Sequence, residues 1–232
     1  MLELAKFNGF FKNDFDVFLV KDIYGINYVN SKLENFTKIL YKKHPDLKKV
    51  IPNWKMAKTG SMKSANIFMW SSNKKHYEIP HFFMGLGFNN FYIHTCFEAV
   101  GISRKFVKAL KKDLIKRREF IDILKKSEGL MIAIDKVDFM RIGSPKNQHT
   151  TLAHIWLNKD WAINDIAEFI YTQMEKINNL PRGKFITKKA CFYLRKYIYR
   201  DNPILKTPNL VDEIYDTIQK MLPMYEFLLE IA

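Results

Sequence analysis

Residues 73–98 read NKKHYEIPHFFMGLGFNNFYIHTCFE, and this stretch decides the fold. A polar turn leads into an alternating apolar run, a Pro80-His81-Phe82 corner, a Gly85-Leu86-Gly87 break and a second alternating run. Period-two alternation marks half-buried strands, and Gly and Asn supply the φ > 0 conformers of tight hairpins. The pattern predicts strands over 77–86 and 91–98, joined through Gly87-Phe88-Asn89-Asn90. With a two-residue turn at Phe88-Asn89, His81 faces Cys96; a slip of one residue changes that partner.

Working outward, Phe10, Asp14, Phe15 and Phe18 form an aromatic lead-in to a helical pattern through Ile26, Val29, Leu33, Phe36 and Leu40. His44-Pro45 ends that helix. Strands are expected at 49–58 and 65–71 around the Thr59-Gly60-Ser61 turn. Ser103 caps a long basic helix to about 126, with Val107, Leu110, Leu114, Ile121 and Leu124 inward. A strand over 130–139, a polar loop over 142–150 and an amphipathic helix over 163–178 follow. Residues 186–199 fit either period, and their aromatic and β-branched side chains favour strand. A C-terminal helix runs from about 209 and is kinked at Pro223. Hairpin-linked strands with long helices, lacking βαβ alternation, predict an α+β fold: one domain over 1–232, its antiparallel or mixed sheet flanked by amphipathic helices.

Three patches of this sequence resemble the YktB-like family, small bacterial and archaeal proteins with no established activity. The first is the opening Phe10, Asp14, Phe15, Phe18. The second is Asn73, Lys74, Lys75, Tyr77, Pro80, His81, Phe82, Gly85, Leu86, then Tyr92-Ile93. The third is Arg195, Arg200-Asp201, Pro203 and a helix ending Leu222-Pro223-Met224-Tyr225. The family carries a His- and Arg-rich segment before the signature; Lys55-Met56-Ala57-Lys58-Thr59-Gly60 here keeps only a Met-Ala-Lys echo. The resemblance implies a fold and brings no reaction with it.

The formal charge of +14 attracts polyanions: nucleic acid, anionic lipid or acidic protein. Compositional bias explains the charge equally well, because 17 Asn against 3 Gln and abundant Lys, Ile and Phe are what AT-rich coding produces. Residues 103–126 carry ten Lys and Arg against Asp113, Glu119 and Asp122. Arg104, Lys108, Lys112 and Arg118 are expected on that helix's solvent side. The second basic stretch, 182–200, holds Lys188, Lys189, Arg195 and Lys196 without a carboxylate, interleaved with Tyr193, Tyr197 and Tyr199. Cations for phosphates and rings for bases suit single-stranded nucleic acid; a solvated helix and a strand with core aromatics suit the same residues.

His81 is the foremost single candidate, as acid, base or ligand at a restrained corner. A hydrogen-bonded structural His fits equally. No paired Cys, His-Glu-x-x-His or Gly-x-Ser-x-Gly motif is present, so neither a metal nor a cofactor is expected. Cys96 and Cys191 read as buried free thiols. The start lacks a signal-peptide h-region and no apolar run approaches ~18 residues, so a soluble, cytoplasmic protein is expected. Two functions are carried forward. One is a non-enzymatic binder of nucleic acid or another polyanion through its basic face. The other is an enzyme or small-anion binder beside Tyr77, His81 and His94, with Arg141 or Arg195 for an anionic group. An interaction protein with incidental charge is a third.

Overall fold

In the computed structural model, residues 7–57, 63–74, 78–97, 100–140, 148–158, 162–181 and 186–232 are described. Seven strands hydrogen-bond in the order β1-β2-β3-β4-β7-β5-β6. They are β1 (Asn53–Met56), β2 (Ser64–Trp70), β3 (His81–Gly87), β4 (Asn90–Phe97), β5 (Met131–Met140), β6 (Gln148–Trp156) and β7 (Ile186–Tyr199). The sheet is antiparallel, and seven helices complete an α+β fold among the described residues. The chain groups into two compact units, each built from three segments: 1–73, 82–94 and 196–219; and 74–81, 95–195 and 220–232.

The first unit holds α1 (Lys12–Val20), α2 (Ile23–Lys43), α3 (Leu47–Val50) and the N-terminal part of α7 (Leu210–Ile231), up to Gln219. Asp14 joins the lead-in to α2: it accepts the Phe11 amide at 2.7 Å and pairs with Lys32 at 2.6 Å. Phe10, Phe15 and Phe18 are buried beside it, and Phe10 and Phe36 pack on Phe91 of β4. Expected strand 49–58 is shorter than its pattern, because Leu47–Val50 form a helical turn before β1. The Thr59-Gly60-Ser61 turn lies outside the described residues. Along β2 and β4 burial alternates strictly as far as His94, one face closed and the other half-open.

The second unit holds α4 (Val100–Lys112), α5 (Leu114–Lys126) and α6 (Ile163–Asn178). Phe97, Phe106, Phe120 and Phe192 pack with centroids 5.3–6.1 Å apart, so even-numbered positions of β7 in this unit face the helices. The long basic helix is two helices. Asp113 takes an extended backbone and its Oδ1 accepts the Ile115 and Lys116 amides at 2.9 and 3.1 Å, capping α5. Leu114, expected on the inner stripe, is consequently 69% exposed. Gln148–Trp156 forms the edge strand β6 beside β5; the loop expected over 142–150 is therefore strand from Gln148, and 151–156 carry no expectation from sequence. Among the described residues no helix is long and apolar enough to cross a membrane.

Candidate functional site

The β3–β4 turn is the two-residue Phe88-Asn89 turn, and His81 meets Cys96 as that register requires. His81 Nδ1 lies 3.2 Å from the Ile79 carbonyl, which can only accept, so Nδ1 carries the proton. Nε2 then accepts the Cys96 thiol at 3.3 Å. Both residues are buried, at 1% and 0% exposure. Cys96 joins Ala133, Val137, Cys191 and Tyr193 in one buried cluster, and both cysteines are free thiols. Among the described residues no three His, Cys, Asp or Glu side chains gather as a metal site.

Tyr77, His94, Arg141 and Arg195 are the other members expected of a His81 pocket. Tyr77 and Arg141 lie outside the described residues. His94 is half-buried and stacks on Phe83, centroids 4.8 Å apart. Arg195 is buried with its guanidinium 4.5 Å over the Tyr193 ring.

The basic stretches separate in the same way. Arg104, Lys108 and Lys112 follow one another at four-residue intervals on α4, so they share a face at a rise of ~6 Å per step. All three are exposed, and among the described residues none has an ion pair or hydrogen bond. They border a groove of about 480 Å³ floored by Val107 and closed by Asn178 and Asn179. Lys111 in the same groove is spent on Glu175 at 2.8 Å, and that hydrogen bond pushes its pKa up. Asn178 is itself fixed, exchanging bonds with Ser103 at 3.0 and 3.2 Å. Helix α6 thus holds one wall of the groove to α4. Arg118 is exposed on α5, whereas Lys116 is committed to Glu230 and Glu119, which raise its pKa.

On β7 the expected cationic surface is mostly not surface. Lys189 and Arg195 are 4% and 7% exposed, and Lys196 is half-buried and paired with Glu213. The Lys188 side chain lies outside what is described. The expectation treated every cation as outward-facing, but the odd-numbered face of β7 in the second unit is covered too.

A feature of which the sequence reading named only His94, Tyr197 and Tyr199 as candidate contacts lies on the half-open face of the first unit. Phe68, Phe83, Tyr92, His94, Tyr197 and Tyr199 form a continuous ring-to-ring row over β2, β3, β4 and β7. Tyr92 reaches across Gly85 to hydrogen-bond Asn66 Oδ1. The available signal was apolar rings at both parities of neighbouring strands, such as Phe82-Phe83 and Phe91-Tyr92.

In comparisons with known proteins, no family model and no curated protein matches this chain.

Proposed function

We propose that the protein is a non-enzymatic binder of nucleic acid or another polyanion, engaging phosphates through Arg104, Lys108 and Lys112. The observation that carries this reading is their stripe along α4, exposed and unneutralised beside a groove walled by amide side chains. Three cations one turn apart replace condensed counterions along a phosphate backbone, and releasing those ions drives binding. Arg118 extends the set onto α5. Lys189 and Arg195 are buried and Lys196 is paired with Glu213, so all three are withdrawn from this surface.

The test is fluorescence anisotropy with labelled single- and double-stranded DNA and RNA at two salt concentrations. The variant is the triple substitution Arg104→Glu, Lys108→Glu, Lys112→Glu. A control reverses three exposed lysines in the other unit, Lys42, Lys48 and Lys49. The α4 variant is expected to lose binding and flatten the log–log salt slope by about 2, from ~0.7 per phosphate contact. Equal losses in both variants would trace binding to net charge alone and end the α4 assignment.

A second reading, an enzyme or small-anion binder at His81, draws support from the Cys96–His81 hydrogen bond, since an imidazole can activate a thiol. With both side chains buried, neither presents an atom to a ligand in this conformation. We also propose kinship with YktB-like proteins, supported by the three matched patches and by the structural work that Asp14 and His81 do within them.

A further inference from the structure

An antiparallel sheet with one open face ordinarily fills that face with polar side chains. In the first unit the half-open face carries rings instead. Phe68 lies 4.7 Å from Phe83, Phe83 4.8 Å from His94, and Tyr92 6.1 Å from His94 with the two planes 7° apart. The row continues through Tyr197, 6.4 Å from Tyr92, to Tyr199, 6.5 Å further and 53% exposed. Phe68, Phe83, Tyr92, His94 and Tyr197 are each half-buried, so the row is neither core nor isolated surface residues.

The row is also held in place. Gly85 sits in register with Asn66 on β2, and having no side chain it lets the Tyr92 phenol pass over β3 to reach the Asn66 carboxamide. A ring fixed this way loses little freedom when something stacks on it. Charge selects the class of occupant. Positions 64, 66, 68 and 70 of β2, 83, 85 and 87 of β3, 90, 92 and 94 of β4, and 197 and 199 of β7 contain no Asp or Glu. Lys55 of β1 is in register with Phe68 and exposed, with no ion pair or hydrogen bond among the described residues.

We infer that this row is a stacking platform for the unpaired bases of single-stranded nucleic acid, with Lys55 placed for its backbone. Every base has a π-face, so rings on a carboxylate-free surface give sequence-tolerant binding, and a duplex, whose bases are already stacked, gains nothing there. A polysaccharide also stacks on rings, but it calls for carboxylates to take its hydroxyls, and these positions hold none. The platform uses none of the α4 residues and stands without them.

The deciding comparison is between an oligothymidylate and an abasic oligonucleotide of equal length and charge, with heparin as competitor, on the full chain. The base-bearing strand is expected to bind about tenfold or more tightly than the abasic one, from stacking on at least one ring. Tyr199→Ala, Phe83→Ala and Lys55→Glu are then compared. The first two are expected to erase the preference for bases, and Lys55→Glu to weaken both strands alike. Tyr199 and Lys55 are exposed, so their variants keep the test open if Phe83→Ala melts early. Equal affinity for the two strands, a preference untouched by Tyr199→Ala and Phe83→Ala, or heparin displacing the base-bearing strand as readily as the abasic one would each overturn the inference. A base preference that survives the α4 triple variant, with overall affinity unchanged, would remove the α4 reading and leave the platform.

Discussion

His81 Nε2 and Cys96 Sγ lie 3.3 Å apart on facing positions of the β3–β4 hairpin. That pairing fixes the register of everything between them and the turn. Two residues on, Phe83 faces His94 with rings 4.8 Å apart, so the buried corner and the aromatic row are consequences of one alignment. A shift of one residue would bury Tyr92 and expose Phe91, which packs on Phe10 and Phe36.

His81→Ala takes a donor from the buried Ile79 carbonyl and an acceptor from the Cys96 thiol, and leaves space behind. The expected loss is about 2–3 kcal/mol in urea denaturation, as for a buried polar group whose partner is removed. Cys96→Ala, which removes only a weak donor, is expected to cost less, about 1 kcal/mol. If Cys96→Ala is the worse of the two, the histidine is not what holds the corner.

Gly85→Ala puts a methyl 2.6 Å from the Ala65 backbone carbonyl, against Asn66 Oδ1 and 2.7 Å from the Tyr92 hydroxyl. The side chains can swing away, breaking their hydrogen bond, but the carbonyl belongs to the strand ladder. We expect a loss of about 2–3 kcal/mol, the upper range of overpacking. At Gly87 the same methyl meets nothing closer than 3.8 Å, so Gly87→Ala is expected to stay within about 0.5 kcal/mol of neutral or to stabilise. Thermal melts of the two variants side by side decide this; similar shifts would mean that the space over Gly85 is not what the Tyr92 crossing needs.

Where one period dominated, the sequence was legible: α6 spans Ile163–Asn178, as its pattern predicts, whereas the strand at Ile186–Tyr199 was legible only from its aromatic and β-branched side chains, since its residues fit either period. It failed where a single polar atom outweighs a pattern. Asp113 interrupts an apolar stripe that reads as continuous, and two amide bonds to one carboxylate oxygen split the helix there. Strand β6 has no alternation to read, since Gln148–Trp156 mixes Thr, His and apolar residues; its pairing with β5 makes it a strand. Burial of Lys189 and Arg195 was hidden for a different reason. Alternation tells which residues share a face but not whether anything covers it. The aromatic row was missed because Phe68, Phe83 and Tyr92 look like core in any hydrophobicity count.

Asp113→Ala removes the α5 cap and should cost about 1 kcal/mol, with Asp113→Asn, which keeps an acceptor oxygen, near wild type. Amide hydrogen exchange checks the location: faster exchange is expected at Ile115 and Lys116, whose donors the cap engages. Unchanged protection at both amides would mean that another group caps the helix.

Acid sensitivity in the first unit should centre on Asp212, where α7 begins against the end of α2. Its carboxylate takes Lys43 Nζ at 2.6 Å and His44 Nε2 at 3.0 Å. The hydrogen bond from Lys43, more than that from His44, holds its pKa below the ordinary 3.8, against some desolvation that raises it. A carboxyl with a lowered folded pKa stabilises the fold at pH values above its unfolded pKa, and that stability is lost as pH falls through the folded value. Because Asp212 is 42% exposed, the contribution is that of a surface ion pair, no more than about 1 kcal/mol. Asp212→Asn should therefore lower the urea midpoint at neutral pH, with the gap to wild type closing below pH 3.8. At the alkaline end Tyr215 behaves oppositely. Its phenol donates to Asp46 at 2.7 Å, and that bond holds its pKa above the ordinary 10.0. Its contribution is complete below pH 10.0 and is lost as pH rises through the folded value, so Tyr215→Phe should match wild type only at high pH. A gap between wild type and Asp212→Asn that persists unchanged to pH 2 would show that Asp212 acts by packing and not by charge.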